Sequence, residues 1–137
     1  MKVGDNEIGL LFNVRARINI AQLTETKKIG DIGSLFDVPE DAEVENVYRI
    51  ARALNHEYER KRKDDAGIEY DKTENQAIIQ LDDVYNMTNE EYNQFSGELI
   101  DVLKGERTVE AEPVKGKKQE AKPSNQMRLG FISTEKS

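Results

Sequence analysis

Apolar residues recur most regularly where Val44, Val47, Ala51, Leu54 and Tyr58 follow one another at alternating spacings of three and four. That spacing lays them along one stripe of an α-helix. Asp37 and Pro39 mark its start, since proline tolerates the first turn, where its missing N–H costs nothing. Glu40, Asp41, Glu43 and Glu45 crowd the front and Arg60 to Lys63 the far end, the order the helix dipole favours. The pattern predicts a helix over roughly 39–63. A second helix is announced by Thr88-Asn89-Glu90-Glu91, a capping box, with Met87 and Tyr92 placed as its hydrophobic staple. Tyr92, Phe95, Leu99 and Val102 form its buried stripe, and Gly105 is a natural stop.

The rest of the chain is less regular. Two short apolar runs around Gly4-Asp5-Asn6 predict a small N-terminal β-hairpin. Val14, Ala16, Ile18 and Ile20 alternate with polar residues, as in a half-buried strand. The same stretch fits a helix capped by Asn13, with Ala16, Ile20 and Leu23 on one face and Val14, Ile18 and Ala21 beside them. Pattern alone leaves both readings open. Asp31 to Phe36 gives a short helical turn, and Asp64 to Lys72, broken by Gly67, a connector. Ala77, Ile78, Leu81 and Val84 or Tyr85 predict a shorter amphipathic helix. Beyond Gly105, residues 106–126 are rich in Lys, Glu, Pro and Gln and hold no core-forming pattern. The expected fold is mainly α: a small helical domain over 1–105 with a short N-terminal β-hairpin, followed by a disordered C-terminal tail over 106–137.

Composition narrows the function. At 137 residues there is room for one domain, and charged residues make up 34%. The absence of Cys excludes disulfides, thiolate metal sites and cysteine nucleophiles. Asp5 and Glu7 stand where a signal peptide would turn apolar, and the run Leu10 to Phe12 is far short of a membrane span. The expected compartment is the cytosol. Net charge is −7, divided unevenly. Residues 1–105 hold 13 Lys/Arg against 22 Asp/Glu, a net −9, and the tail holds 7 against 5, a net +2. Such a surface repels nucleic acid unless a basic patch is segregated on one face.

No catalytic constellation stands out. The single histidine, His56, has Arg52, Glu59 and Arg60 around it in place of a nucleophile or second ligand, and reads as a surface or half-buried helix residue. Asp64-Asp65, Asp82-Asp83 and Glu90-Glu91 are adjacent pairs, which do not face each other on a helix. Gly30-Asp31-Ile32-Gly33 has the outline of a backbone-clamping GxxG loop, but Asp31 would repel phosphate. Arg60-Lys61-Arg62-Lys63, the one dense basic cluster, is followed at once by Asp64 and Asp65, and its place at a helix C-terminus accounts for it. In the tail, the island Met127-Arg128-Leu129-Gly130-Phe131-Ile132 resembles a short linear motif that folds onto a partner, which makes Met127, Leu129, Phe131 and Ile132 the candidate partner-binding residues. The expectation is a binding protein and not an enzyme, without metal or cofactor and without membrane or nucleic-acid partners.

The order of features carries a family resemblance. Leu11-Phe12-Asn13 closes the hairpin, and Val14-Arg15-Ala16 with Ile18-Asn19-Ile20-Ala21-Gln22-Leu23 follows. Lys28-Ile29-Gly30 and Ser34-Leu35-Phe36 precede the long amphipathic helix, and Thr88-Asn89-Glu90-Glu91-Tyr92 opens the last one. Over about residues 8–105 the chain resembles the tail assembly chaperones of long-tailed bacteriophages and prophages. The resemblance implies that Val14–Leu23 is a helix. It also implies a chaperone that coats the aggregation-prone, helical tape measure protein before the tail tube polymerises around it. Such proteins act in the host bacterial cytoplasm, self-associate into oligomers, are absent from the mature virion, and often exist in a longer frameshifted form. A second reading, of a different class, is a small phage regulatory protein binding nucleic acid through Arg60–Lys63 and the Lys-rich tail. A third is a permanent head–tail joining piece.

Overall fold

The structure, a computed structural model, describes residues 1–105 and 108–111. A two-stranded antiparallel hairpin opens the chain, β1 (Lys2–Val3) against β2 (Asn6–Glu7), with Lys2 opposite Glu7 and Val3 opposite Asn6. Then come α1 (Val14–Ala21), a 3-10 helix (Ile29–Leu35), α2 (Glu40–Ala66), α3 (Leu81–Tyr85) and α4 (Asn89–Leu103). The fold is mainly helical, with the hairpin at its N-terminus, as the sequence pattern predicts.

The helices start and stop for local reasons. At α1, Asn13 Oδ1 accepts the Ala16 N–H at 2.9 Å, and that cap resolves the choice between strand and helix. Thr24, almost fully buried, ends the following turn by donating to the Ala21 carbonyl at 2.8 Å and accepting the Lys28 N–H at 3.2 Å. The capping box of α4 is complete: Thr88 Oγ1 accepts from the Glu91 N–H at 3.1 Å, and the Glu91 carboxylate accepts from the Thr88 N–H at 2.9 Å.

Helix α2 is the axis on which the other elements pack; α1, the 3-10 helix, α3 and α4 all contact it. It runs three residues past the expected 63, through Asp64 and Asp65, and stops where Gly67 adopts the left-handed conformation (φ 69). The connector therefore begins at Gly67. Val47, Ala51 and Leu54 of its stripe are buried, and Ile50 joins them. Facing it are Ala16 and Ile20 of α1, Val84 of α3, and Phe95, Leu99 and Val102 of α4, with Val3, Ile8 and Leu10 from the N-terminal stretch.

Two expectations are corrected. The helix expected from Ala77 is only Leu81–Tyr85; Ile78 and Ile79 give their N–H groups to the Asn55 side chain, and residues 77–80 stay outside the helix. The domain does not end at 105. Val109 pairs with Leu10 through reciprocal backbone bonds of 2.8 and 3.2 Å and is 3% exposed. Composition misses this, because one β-branched residue and a pair of backbone bonds are enough to seat a strand of one residue. The rest of the tail, with the island at 127–132, lies outside the described residues.

Leu54 and Leu99 are each 0–1% exposed. Leu→Ala at either position is expected to cost ~2–5 kcal/mol in denaturant unfolding. A loss below about 0.5 kcal/mol, the size of a surface change, would mean the stripe is not core.

Candidate protein-binding surface

Helix α1 is amphipathic with its apolar content on both sides. Ala16, Ile20 and Ala21 turn inward, while Val14 and Ile18, one turn apart, are 63% and 53% exposed. Of the three residues that the helical pattern sets beside the Ala16, Ile20 and Leu23 face, Ala21 is covered while Val14 and Ile18 are open. Asn13 fixes the start of the helix, and its Nδ2 bond to Glu57 of α2 ties that end to the body with Ala16 and Ile20 inward. A helix exposing two β-branched residues at one-turn spacing, flanked by Arg15 and Arg17, offers a ridge that a partner's groove or helix can cover.

Three consecutive polar residues of α2 hold the segments around that ridge, and one of them reaches α1 itself. Asn55 is fully buried; its Nδ2 donates to the Gly9 carbonyl at 2.9 Å, and its Oδ1 accepts the Ile78 N–H at 2.7 Å and the Ile79 N–H at 3.3 Å. His56 Nδ1 accepts the Gln76 N–H at 2.8 Å. Glu57, 2% exposed, has its Oε1 3.1 Å from Asn13 Nδ2, 3.2 Å from Arg60 and 3.6 Å from Arg15. The residue that caps α1 is thus itself anchored to α2 by a buried carboxylate. Gly9 lies so close to the Tyr58 ring that a Cβ there would overlap it. Tyr58 in turn accepts the Ala111 N–H at 3.1 Å and donates to Glu110, and burial of its ring pushes its hydroxyl up to about 12.

The other sequence candidates fall into place around this block. The basic cluster is occupied: Arg60 pairs with Glu57, Arg62 with Glu59 at 2.9 Å, Lys61 with Asp65 at 2.9 Å, and Lys63 meets Gln76. Gly30-Asp31-Ile32-Gly33 lies within the 3-10 helix, where the Asp31 carboxylate accepts from Thr26. His56 is half-buried, as read, but it is bonded to the connector. Buried Glu57 and Glu59 were not foreseen; the signal was a run of charge on a helix with more than one covered face. Among the described residues, no group of three or more His, Cys, Asp or Glu is placed to hold a metal, and no helix is long and apolar enough to cross a membrane. Met127, Leu129, Phe131 and Ile132 lie outside the described residues. Comparisons with protein-family models, with curated proteins and with solved structures gave no match to this chain.

Two outcomes follow. Replacing Asn55 by Leu strands the Gly9 carbonyl and the Ile78 N–H, each worth about 1–3 kcal/mol when left unpaired; urea unfolding should register a loss of at least that size. Burial, opposed by Glu57 and assisted by Arg52 and Arg15, holds His56 below its usual 6.5. Its Nδ1 accepts a backbone N–H, so the folded state resists a proton that the unfolded chain takes up. The contribution of His56 is therefore intact above pH 6.5 and lost as pH falls through 6.5 toward the folded-state value. The stability gap between wild type and His56→Gln should be smaller at pH 5 than at pH 7.5; an equal gap at both would contradict the lock.

Proposed function

We propose that this chain is a tail assembly chaperone of a long-tailed bacteriophage or prophage. It binds the tape measure protein and keeps it soluble until the tail tube forms around it. It works in the host bacterial cytoplasm by protein binding, without catalysis, self-associates while doing so, and leaves before the virion is complete. The observation that carries this reading is the exposed Val14–Ile18 ridge on a helix fixed at its cap. A long helical client presents repeated apolar stripes, and a rigid ridge meets such a stripe with little ordering cost. The acidic body, a net −9 over residues 1–105, keeps the loaded complex from precipitating. The apolar island at 127–132 supplies an auxiliary contact on a tether. The pairing of Arg60, Lys61 and Arg62 with Glu57, Asp65 and Glu59 weighs against the nucleic-acid reading, which needs that cluster free.

The test is co-expression with the tape measure protein of the same phage or prophage. Full-length chain should raise the recovery of soluble tape measure protein well above an empty control. Val14→Ser with Ile18→Ser should leave folding within about 0.5 kcal/mol of wild type at each site and pull recovery back toward the control. No rise with the wild-type chain sinks the chaperone reading; a rise that the double variant preserves moves the binding face elsewhere.

A further inference from the structure

The exposed side of α1 carries charge of one sign. Its residues, Val14–Ala21, hold two arginines and no carboxylate, on a body whose residues 1–105 are net −9. At 3.6 residues per turn, Arg15 and Arg17 stand about 80° to either side of the line through Val14 and Ile18. The apolar ridge thus has a guanidinium on each flank. On α2, Arg49, Arg60, Lys61 and Arg62 are each paired with an acid three or four positions away on the same helix. Helix α1 offers no such partner. The Arg17 side chain is exposed and enters no ion pair among the described residues. Arg15, 58% exposed, reaches Glu57 Oε1 at 3.6 Å, an oxygen that Asn13 and Arg60 approach more closely, at 3.1 and 3.2 Å.

Apolar side chains at one-turn spacing between flanking charges are the pattern by which one helix selects another: the seam gives adhesion, and the flanks choose the partner by sign. We propose that α1 receives an amphipathic helix whose apolar stripe is bordered by carboxylates. This rests on the chaperone reading and adds to it the chemistry of the client segment that the ridge takes. Val14 and Ile18 pack into the client's stripe, and Arg15 and Arg17 each face a carboxylate along its border. The net charge of the body opposes such a segment over the rest of the surface and so directs it to α1. A basic helix meets like charge on both sides of the ridge and is drawn to the acidic front of α2, at Glu40, Asp41 and Glu43. Nucleic acid would use the two guanidiniums, leave Val14 and Ile18 uncovered, and work against the charge of the body. A helix of 8 residues is about 12 Å long, so a single contact is weak and is best read residue by residue.

The experiment uses the full-length chain, labelled with 15N, and two synthetic peptides of about 20 residues, long enough to be helical. Both carry leucines at alternating spacings of three and four; one borders the stripe with glutamate, the other with lysine. At low salt the glutamate peptide should shift the amides of Val14, Arg15, Arg17 and Ile18 with an affinity at least about tenfold above that of the lysine peptide at the same amides, and added salt should narrow the gap. Arg17→Glu, at a site without an ion pair, should remove that preference and leave the α2 resonances unchanged. Val14→Ser with Ile18→Ser should weaken the glutamate peptide with the fold again intact. Equal affinity of the two peptides at α1, a preference untouched by Arg17→Glu, or no shift with either peptide would overturn the proposal. A single-stranded oligonucleotide that shifts α1 more strongly than the glutamate peptide would overturn it in favour of nucleic acid. Co-expression separates this proposal from the reading beneath it. If the charge preference fails while the full-length chain still keeps the tape measure protein soluble, the chaperone stands and the client chemistry falls. If the preference holds and co-expression recovers nothing, the surface stands and the tape measure protein is not its client.

Discussion

The side-chain amide of Asn55 holds three segments of this protein to one point. It reaches the Gly9 carbonyl on one side and the N–H groups of Ile78 and Ile79 on the other, from a position with no access to water. A buried amide is stable only when its donors and acceptor are met together, since each unmet group costs as much as a bond contributes or more. The N-terminal stretch and the connector therefore have to arrive at α2 in register. Once they do, Leu10 is presented to Val109, and the chain beyond Gln80 is aimed so that α3 covers α2 with Val84.

The neighbouring residues extend the same device. His56 holds Gln76, and Glu57 holds the cap of α1, so one turn of α2 fixes the entry of one helix and the approach to another. At the front of α2 the acidic residues have a second use besides the helix dipole. Tyr92 of α4 donates to Glu43 at 3.3 Å, and Tyr85 of α3 donates to Glu45 at 3.3 Å. Burial, with Glu43 beside it, pushes the Tyr92 hydroxyl up to about 12, so it stays a donor throughout the physiological range. In a small domain with a limited core, such polar contacts add links between helices to what apolar burial supplies.

What the sequence makes legible is local. The α2 stripe and the capping box of α4 need only near neighbours, and both are read correctly from residue spacing. The Val14–Ala21 helix is ambiguous because eight residues satisfy a period of two and a period of 3.6 alike. Residues 77–80 look helical until a side chain more than twenty positions earlier takes their N–H groups. The Leu10–Val109 pairing joins opposite ends of the domain and leaves no periodic trace. The same limit governs the candidate surface: the apolar island is visible in the sequence, whereas the Val14–Ile18 ridge exists only once the phase of α1 is set.

If the Asn55 turn organises the fold, the segments it holds must open only with the core. Native-state hydrogen exchange at Gln76, Ile78 and Ile79 tests this directly, because these amides lie in no helix or strand and are held by side chains of α2. The account predicts opening free energies for Ile78 and Ile79 close to those of the α2 amides around Leu54, near the global stability. Exchange of these amides at rates typical of a mobile loop, while α2 stays protected, would contradict it.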